Sequence, residues 1–173
     1  PSALAAEGGR ALGLPIVNGY FDAGTDVGAD PFDLVLCSEV LEHVAAPHAL
    51  LAAIRGRLAP QGVLVLTTPN LAIIDPRSTA GDLARGLSAG VHLVLYDEAA
   101  LARVLARAGF AAVTIEASAT TLVAFAARSP EALATIEKEG QGRAPILRYF
   151  AARADALPRS SALASGFAYR HFR

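Results

Sequence analysis

Short apolar runs alternate along the chain with longer segments in which apolar residues recur every three or four positions. Two of the runs, FDLVLC at 32–37 and VLVLT at 63–67, are almost continuously apolar, which is typical of strands buried on both faces. A shorter run predicts a further strand at 16–20. Strands that alternate with helices in this way predict an α/β fold built around a parallel sheet.

Helices are predicted between these strands. One covers 2–12, a second covers 47–58, and a third runs from Asp97, a residue that suits the N-cap, to position 108. The remaining segments are predicted to be a loop at 22–31, a helical turn at 40–44, a tight turn at 60–62 and a connection at 70–90 with room for a short helix.

The last two predicted strands, 112–117 and 122–127, are joined by the short link 118–121. A parallel crossover needs a dozen residues or more, so this pair is predicted to be an antiparallel hairpin. Two further helices are predicted after it, at 130–139 and 145–157.

Composition narrows the classes of function. The net charge of the 173 residues is −1, so no chain-wide positive field attracts nucleic acid, which is not an expected partner. Cys37 is the single cysteine, which excludes an intrachain disulfide and a four-cysteine zinc site. No apolar run approaches the ~20 residues that cross a bilayer, so we expect a soluble cytoplasmic domain and no membrane partner.

One long segment carries a resemblance to a known family. From Phe32 to Asn70 the chain reads FDLVLCSEVLEHVAAPHALLAAIRGRLAPQGVLVLTTPN. The FDLV strand, the VLEHV turn and the strand that ends in TTPN make this segment closely resemble class I S-adenosylmethionine-dependent methyltransferases. The resemblance continues through LYDEAALARVLARAGF and covers roughly residues 1–127.

The resemblance implies a Rossmann-like sheet of seven strands in the order 3-2-1-4-5-7-6, with strand 7 antiparallel. The predicted strands correspond to strands 3 to 7, and the family's first strand and its Gly-x-Gly loop do not occur in this sequence. We therefore expect a partial methyltransferase domain at 1–127, with a mostly parallel sheet and a C-terminal antiparallel hairpin. A helical C-terminal extension is expected at 128–173.

The missing strands have a physical consequence. In the family order they lie between the strand at 16–20 and the strand at 32–37, so the latter is expected to have an unpaired edge. Exposed apolar edges favour aggregation. We expect this chain alone to be poorly stable, to bind the cofactor weakly and to be inactive.

The resemblance implies S-adenosylmethionine as cofactor, bound where parallel strands end. Phe21, Asp22 and Ala23 follow the predicted strand at 16–20. The family often has an acid here that accepts a hydrogen bond from the adenine amino group, for which Asp22 is the first candidate and Asp26 the second. The alternative is that Asp22 only organises a turn.

A second cofactor-binding group is expected after the strand at 32–37. Cys37, Ser38 and Glu39 should face the methionine part of the cofactor and the methyl group that is transferred. The acceptor attacks the methyl carbon directly, so no protein nucleophile is needed and Cys37 is expected to be a buried thiol.

The same region offers candidate metal ligands. Glu39, Glu42 and His43 are spaced i, i+3 and i+4, which on a helical turn puts them on one face, where they could hold a divalent ion. The E-x-x-E-H pattern resembles that of two metal-using branches, the quinone-biosynthesis O-methyltransferases and the small-RNA 3′-end 2′-O-methyltransferases. In the second branch a downstream histidine completes the site, and His92 lies in a comparable place. The alternative is local hydrogen bonding without a metal.

His43 and His92 are also the candidate catalytic residues, since a histidine on the substrate side can act as a general base. The resemblance implies methyl transfer to a small-molecule substrate, with a hydroxyl as the expected acceptor. Two alternatives remain open: a non-catalytic methyltransferase-like partner domain, and a nicotinamide-dependent Rossmann oxidoreductase. A homo-oligomer is compatible with the sequence.

Overall fold

The computed structural model describes residues 2–136, which form a four-stranded mixed sheet with helices around it. The strands are β1 (Phe32–Ser38), β2 (Leu58–Pro69), β3 (Ala112–Ala117) and β4 (Thr121–Ala127). The helices are α1 (Ala3–Leu12), α2 (Pro47–Arg57), α3 (Ala80–Leu87), α4 (Glu98–Arg107) and α5 (Pro130–Ile136), with 3₁₀ turns at Leu41–His43 and Leu71–Ile73.

The strand order is β1-β2-β4-β3, with β1 parallel to β2 and both contacts of β4 antiparallel. This matches the expected order 4-5-7-6 of the family, and the predicted hairpin at 112–127 is confirmed. The structure thus has the strand order expected for the C-terminal half of the family's sheet. Of the predicted C-terminal extension at 128–173, the structure describes α5 (Pro130–Ile136), which agrees with the start of the helix predicted at 130–139. The predicted helix at 145–157 and the other residues after 136 lie outside the described residues.

Local sequence signals explain where the helices begin and end. The hydroxyl of Ser2 accepts a hydrogen bond from the backbone N–H of Ala5, which caps α1, and the carboxylate of Asp97 accepts one from Ala100 to cap α4. Just after α4, Gly109 adopts a left-handed φ of 90°, which a residue without a side chain reaches at no steric cost.

Two predicted elements differ from the structure. Residues 16–20 do not form a strand. A strand is held by hydrogen bonds to a neighbour, and no described strand lies beside this segment to supply them. The predicted turn at 60–62 lies inside β2 instead. Phe32 of β1 pairs with Leu58 and Leu34 pairs with Val63, so the residues between Leu58 and Val63 form an irregularity in the pairing of β2 with β1.

The core lies mainly on one face of the sheet. There, buried side chains of α2 and α4 pack with the strand residues Cys37, Leu64 and Leu66. On the opposite face, α5 packs on Val63 and Ala127. Near β1 this second face is open, and Leu36 is 66% exposed.

The free edge of β1 agrees with the expectation from the family order, since β2 is its only partner among residues 2–136. None of the helices in that range is long and apolar enough to cross a membrane.

Candidate functional site

Polar side chains gather where the parallel strands β1 and β2 end, at their carboxyl ends. Directly after β1, Glu39 adopts a left-handed backbone conformation with φ 52°, which is uncommon for any residue other than glycine. The 3₁₀ turn Leu41–His43 follows. Because of this kink, Glu39 is not part of the helical turn and its side chain leaves in a different direction from that of Glu42.

Two threonines of β2 separate the two glutamates. The hydroxyl of Thr67 donates to Oε1 of Glu39 over 2.9 Å, and the hydroxyl of Thr68 donates to Oε2 of Glu42 over the same distance. Successive side chains of a strand point to opposite faces, so Glu39 and Glu42 lie on different faces of the sheet. Ser38 joins the first group, with its Oγ 2.9 Å from Oγ1 of Thr67.

The carboxylate of Glu42 is buried, but only one of its two oxygens accepts a hydrogen bond from a described residue. Its side chain is 0% exposed, and its Oε1 atom has no hydrogen-bond partner among residues 2–136. Nε2 of His43 lies 3.6 Å from this oxygen, which is an ion-pair distance if the imidazole is protonated but too long for a hydrogen bond. The hydroxyl of Tyr96 is also buried, and no described residue is its hydrogen-bond partner.

The negative charge of Glu42 acts on two neighbouring groups. Burial, and secondarily the charge of Glu42, raise the pKa of the Cys37 thiol to about 11. The same two causes, in the same order, raise the pKa of Tyr96. Cys37 is therefore protonated at neutral pH, which agrees with the expected buried, unreactive thiol.

The two histidines are oriented in the same manner. Nδ1 of His43 lies 3.0 Å from the carbonyl oxygen of Val91, and Nδ1 of His92 lies 2.7 Å from that of Gly86. A carbonyl only accepts, so each Nδ1 carries the proton and each Nε2 presents a lone pair in the neutral ring. The ring centroids are 4.8 Å apart.

The segment that carries His92 is fixed by close packing. A side chain on Gly86 would place its Cβ 2.5 Å from Cγ2 of Ile73, so α3 reaches Ile73 only with glycine at this point. On the other side of His92, the backbone N–H groups of Leu93 and Val94 both donate to the carbonyl oxygen of Glu42. The result is one cluster: single ligand atoms of Glu42, His43 and His92 all lie within 4.8 Å of one another.

The structure thus brings together three of the four predicted metal ligands and both predicted catalytic residues. Glu39 does not join the cluster, because its carboxylate is held by Thr67. Sequence reasoning missed Thr68 and Tyr96. The signal for Thr68 was available, since polar residues at the end of an apolar strand in an α/β sheet lie where ligands bind.

The first predicted cofactor-binding group lies in the loop before β1. Phe21, Asp22 and Ala23 line a cavity of about 850 Å³ together with Val40 and Leu50. Oδ1 of Asp22 accepts from Gly24 N–H and from the Thr25 hydroxyl, so this residue organises a turn. Its Oδ2 remains free of a partner among residues 2–136.

The second predicted group is divided between two environments. Cys37 lines a smaller cavity of about 410 Å³ that Phe21 also lines, beside the free edge of β1. Ser38 and Glu39 instead bond to Thr67. Cavities of these sizes are in the range that holds a cofactor.

Comparison with known proteins identifies the family. A family model described as a methyltransferase domain matches residues 9–115, which is more than half of the chain.

Among curated proteins, the chain is similar to two enzymes named ubiquinone biosynthesis O-methyltransferase. The protein of Caulobacter sp. (strain K31) is 49% identical over 43 residues, which are 25% of this chain and 17% of that protein. The protein of Haemophilus ducreyi (strain 35000HP / ATCC 700724) is 44% identical over 46 residues, 27% of this chain and 20% of that protein. The matched segments therefore span no more than about a fifth of these relatives.

Solved structures show the same fold at low identity. A SAM-dependent methyltransferase from Thermotoga maritima superposes with a TM-score of 0.59 at 17% identity, covering 75% of this chain and 70% of that one. An O-methyltransferase family protein from Burkholderia thailandensis gives 0.54 at 21% identity, covering 72% and 40%. The family match and these two likenesses of fold agree, and the chain belongs to the class I S-adenosylmethionine-dependent methyltransferases.

Proposed function

We propose that the protein transfers a methyl group from S-adenosylmethionine to a hydroxyl group of a small molecule, and that the acceptor binds at the cluster of Glu42, His43 and His92. The observation that carries this proposal is the pair of imidazoles whose Nδ1 atoms are tied to backbone carbonyls. Such rings keep Nε2 free to accept a proton from a hydroxyl. The two O-methyltransferases similar to this chain support an oxygen acceptor.

The cavities beside β1 fit the cofactor. Their combined lining is mostly apolar, with the ring of Phe21 in both, and the free Oδ2 of Asp22 can accept from an amino group. When bound, the cofactor supplies a methyl group on a positively charged sulfur, which leaves as a neutral thioether. These loop and strand residues would bind and orient it against the acceptor.

The acceptor hydroxyl must lose its proton as the new oxygen–carbon bond forms and the carbon–sulfur bond breaks with its electron pair on sulfur. Nε2 of His43 or His92 is the atom that receives this proton. His43 is the more accessible of the two to an incoming molecule, since its side chain is 34% exposed. The buried Glu42 carboxylate stabilises the imidazolium that results.

The first test is calorimetric titration with S-adenosylmethionine of a completed chain, in which residues 1–173 are joined to the family's first strand and Gly-x-Gly loop. There we expect a Kd in the micromolar range, or ~ −8 kcal/mol. A panel of small hydroxylated compounds is then screened for formation of the demethylated cofactor. A folded protein that does not bind the cofactor would refute methyl transfer.

The second test concerns the cluster. His43→Gln and His92→Gln should each lower kcat by about 10²–10⁴ while the Kd for the cofactor stays unchanged. His48→Gln, an exposed histidine on α2, is the matched control and should leave kcat unaltered. Unchanged turnover in both cluster variants would show that the acceptor binds elsewhere.

A further inference from the structure

We infer that Tyr96 is a further positioning residue of the site, and that its hydroxyl and Oε1 of Glu42 bind one buried water molecule between them. Both atoms are buried, and neither has a hydrogen-bond partner among residues 2–136. A buried polar group without a partner costs stability, and internal water molecules commonly bind to such groups. The inference rests on the proposed function only for the part that Glu42 plays in catalysis.

Backbone contacts bring Tyr96 to the same place as Glu42. The segment 93–96 runs past Glu42, whose carbonyl oxygen accepts from the N–H groups of the first two residues of that segment. Tyr96 then pairs with Asn70 in a parallel bridge, and paired residues of a sheet point their side chains to the same face. Asn70 follows Thr68 by two positions, so the ring of Tyr96 lies on the face where Thr68 holds the carboxylate of Glu42.

The two buried groups are complementary as donor and acceptor. An ionised carboxylate only accepts hydrogen bonds, whereas the phenol of a tyrosine donates one. Burial, and secondarily the charge of Glu42, raise the pKa of Tyr96, so its hydroxyl keeps its proton at neutral pH. One water molecule accepts from the phenol and donates to Oε1, which satisfies both buried atoms.

A second contact fixes the carboxylate of Glu42 for catalysis. The hydroxyl of Thr68 holds Oε2 over 2.9 Å, while Oε1 lies 3.6 Å from Nε2 of His43. A water molecule held by Tyr96 fixes Oε1 as well, so the negative charge stays beside the imidazole that receives the proton of the acceptor. Because Tyr96 is only 3% exposed, it acts through Glu42 and does not touch the acceptor.

The first experiment detects the water molecule by NMR spectroscopy of the completed chain, without acceptor or cofactor. Tyr96→Phe identifies the resonance of the hydroxyl proton by deleting it. We expect a nuclear Overhauser cross-peak between this proton and water, with the sign that distinguishes proximity from chemical exchange. We also expect the resonance to shift in Glu42→Gln, which removes the charge. A hydroxyl proton that exchanges too fast to be observed, has no water cross-peak or is unmoved in Glu42→Gln would overturn the inference.

The second experiment measures the coupling of Tyr96 with Glu42 in urea denaturation of the same chain. Tyr96→Phe should raise the equilibrium constant for unfolding at least about fivefold, because Oε1 is left unsatisfied. In the background of Glu42→Met, which has no carboxylate to hold, the same change should raise it less than about twofold. Tyr20→Phe is the matched control and should have no effect, since Tyr20 is 86% exposed. Equal effects of Tyr96→Phe in the two backgrounds would show that Tyr96 does not act through Glu42.

Kinetics separate positioning from packing. With an acceptor from the screen, Tyr96→Phe should lower kcat about tenfold and leave both the KM for the acceptor and the Kd for the cofactor unchanged. A side chain that only fills space would leave kcat unaltered, and that result would overturn the positioning role. The NMR and denaturation measurements need neither acceptor nor cofactor, and titration with S-adenosylmethionine tests the proposed function separately. Either conclusion can therefore fail while the other stands.

Discussion

The two faces of the sheet near the ends of β1 and β2 differ in packing and in chemistry. On one face, Leu66 is fully buried beneath α2 and α4, and Thr68 holds the buried carboxylate of Glu42. On the other, Leu36 is largely exposed and Thr67 holds the carboxylate of Glu39 near solvent. Because successive residues of β2 point to opposite faces, Thr67 and Thr68 lie in different environments, and so do the two glutamates that they hold. Only on the covered face is a carboxylate kept away from water.

The largest difference between the faces should be in packing energy. Leu66→Ala removes a side chain that is enclosed on all sides, and should lower the free energy of unfolding by about 2–5 kcal/mol. Leu36→Ala on the open face should change it by less than about 0.5 kcal/mol. Urea denaturation followed by circular dichroism measures both. Equal losses would show that the open face is covered in solution.

Substitutions of the two threonines should also cost more stability on the covered face than on the open face, but by a smaller margin than the two leucine substitutions. Thr68→Val keeps the volume of the side chain but removes the hydrogen bond to Oε2 of Glu42, leaving the buried carboxylate unsatisfied, and should destabilise the protein by about 1–3 kcal/mol. In Thr67→Val the freed Glu39 carboxylate can turn to water, and the loss should stay below about 1 kcal/mol. A loss in Thr67→Val that matches that in Thr68→Val would contradict the assignment of Glu42 to the covered face.

A third comparison tests how His92 is held beside the covered face. Gly86→Ala places a Cβ against Ile73 and should destabilise the protein by about 1–3 kcal/mol while displacing the carbonyl that His92 contacts. Gly81→Ala lies in the same helix, where the added Cβ makes only ordinary van der Waals contacts with Arg85 and Thr79, and should stabilise it by about 0.5–1 kcal/mol. The kcat for methyl transfer should fall in the first variant and not in the second, because only the first displaces His92. If Gly86→Ala left both the stability and the kcat intact, the contact with Ile73 would not position His92.

The smallest expected effect is the pH dependence that Cys37 adds on the covered face. Because its pKa in the folded protein, about 11, lies above the ordinary value of 9.0, the native state holds the proton more tightly than the unfolded state. This contribution is fully present below pH 9 and is lost as the pH rises towards 11, with about 1 kcal/mol lost by pH 10. Stability measured from pH 8 to pH 10 should decline less steeply in Cys37→Ala. Parallel curves for parent and variant would mean that the thiol titrates normally.

Much of the sheet could be predicted from the sequence, because its order follows from local signals. The apolar runs at 32–37 and 63–67 and the short link at 118–121 are enough to predict β1, β2 and the hairpin. The run at 16–20 misled for a physical reason: hydrophobicity favours a strand only where a neighbouring strand accepts its hydrogen bonds, and none is described beside it.

The site was predicted less completely. The spacing of Glu39, Glu42 and His43 places them on one face only if all three residues are helical, and the left-handed φ of Glu39 breaks that condition. The resemblance to a metal-using branch suggested His92, and spacing within the chain could not have placed it. Thr68 and Tyr96 belong to the surroundings of Glu42 through tertiary packing, which no local pattern encodes.

The backbone contacts between Glu42–His43 and the segment 91–94 have a consequence for folding. They join residues about fifty positions apart: His43 to Val91 across 48 residues, and Leu93 and Val94 to the carbonyl oxygen of Glu42. Loops of this length close at an entropic cost that the few contacts of the segment 91–94 must offset, so these contacts should open more readily than the pairing of β1 with β2. The amide protons of Leu93 and Val94 should therefore exchange with solvent faster than those at the centre of β2, and occupancy of the site should slow their exchange.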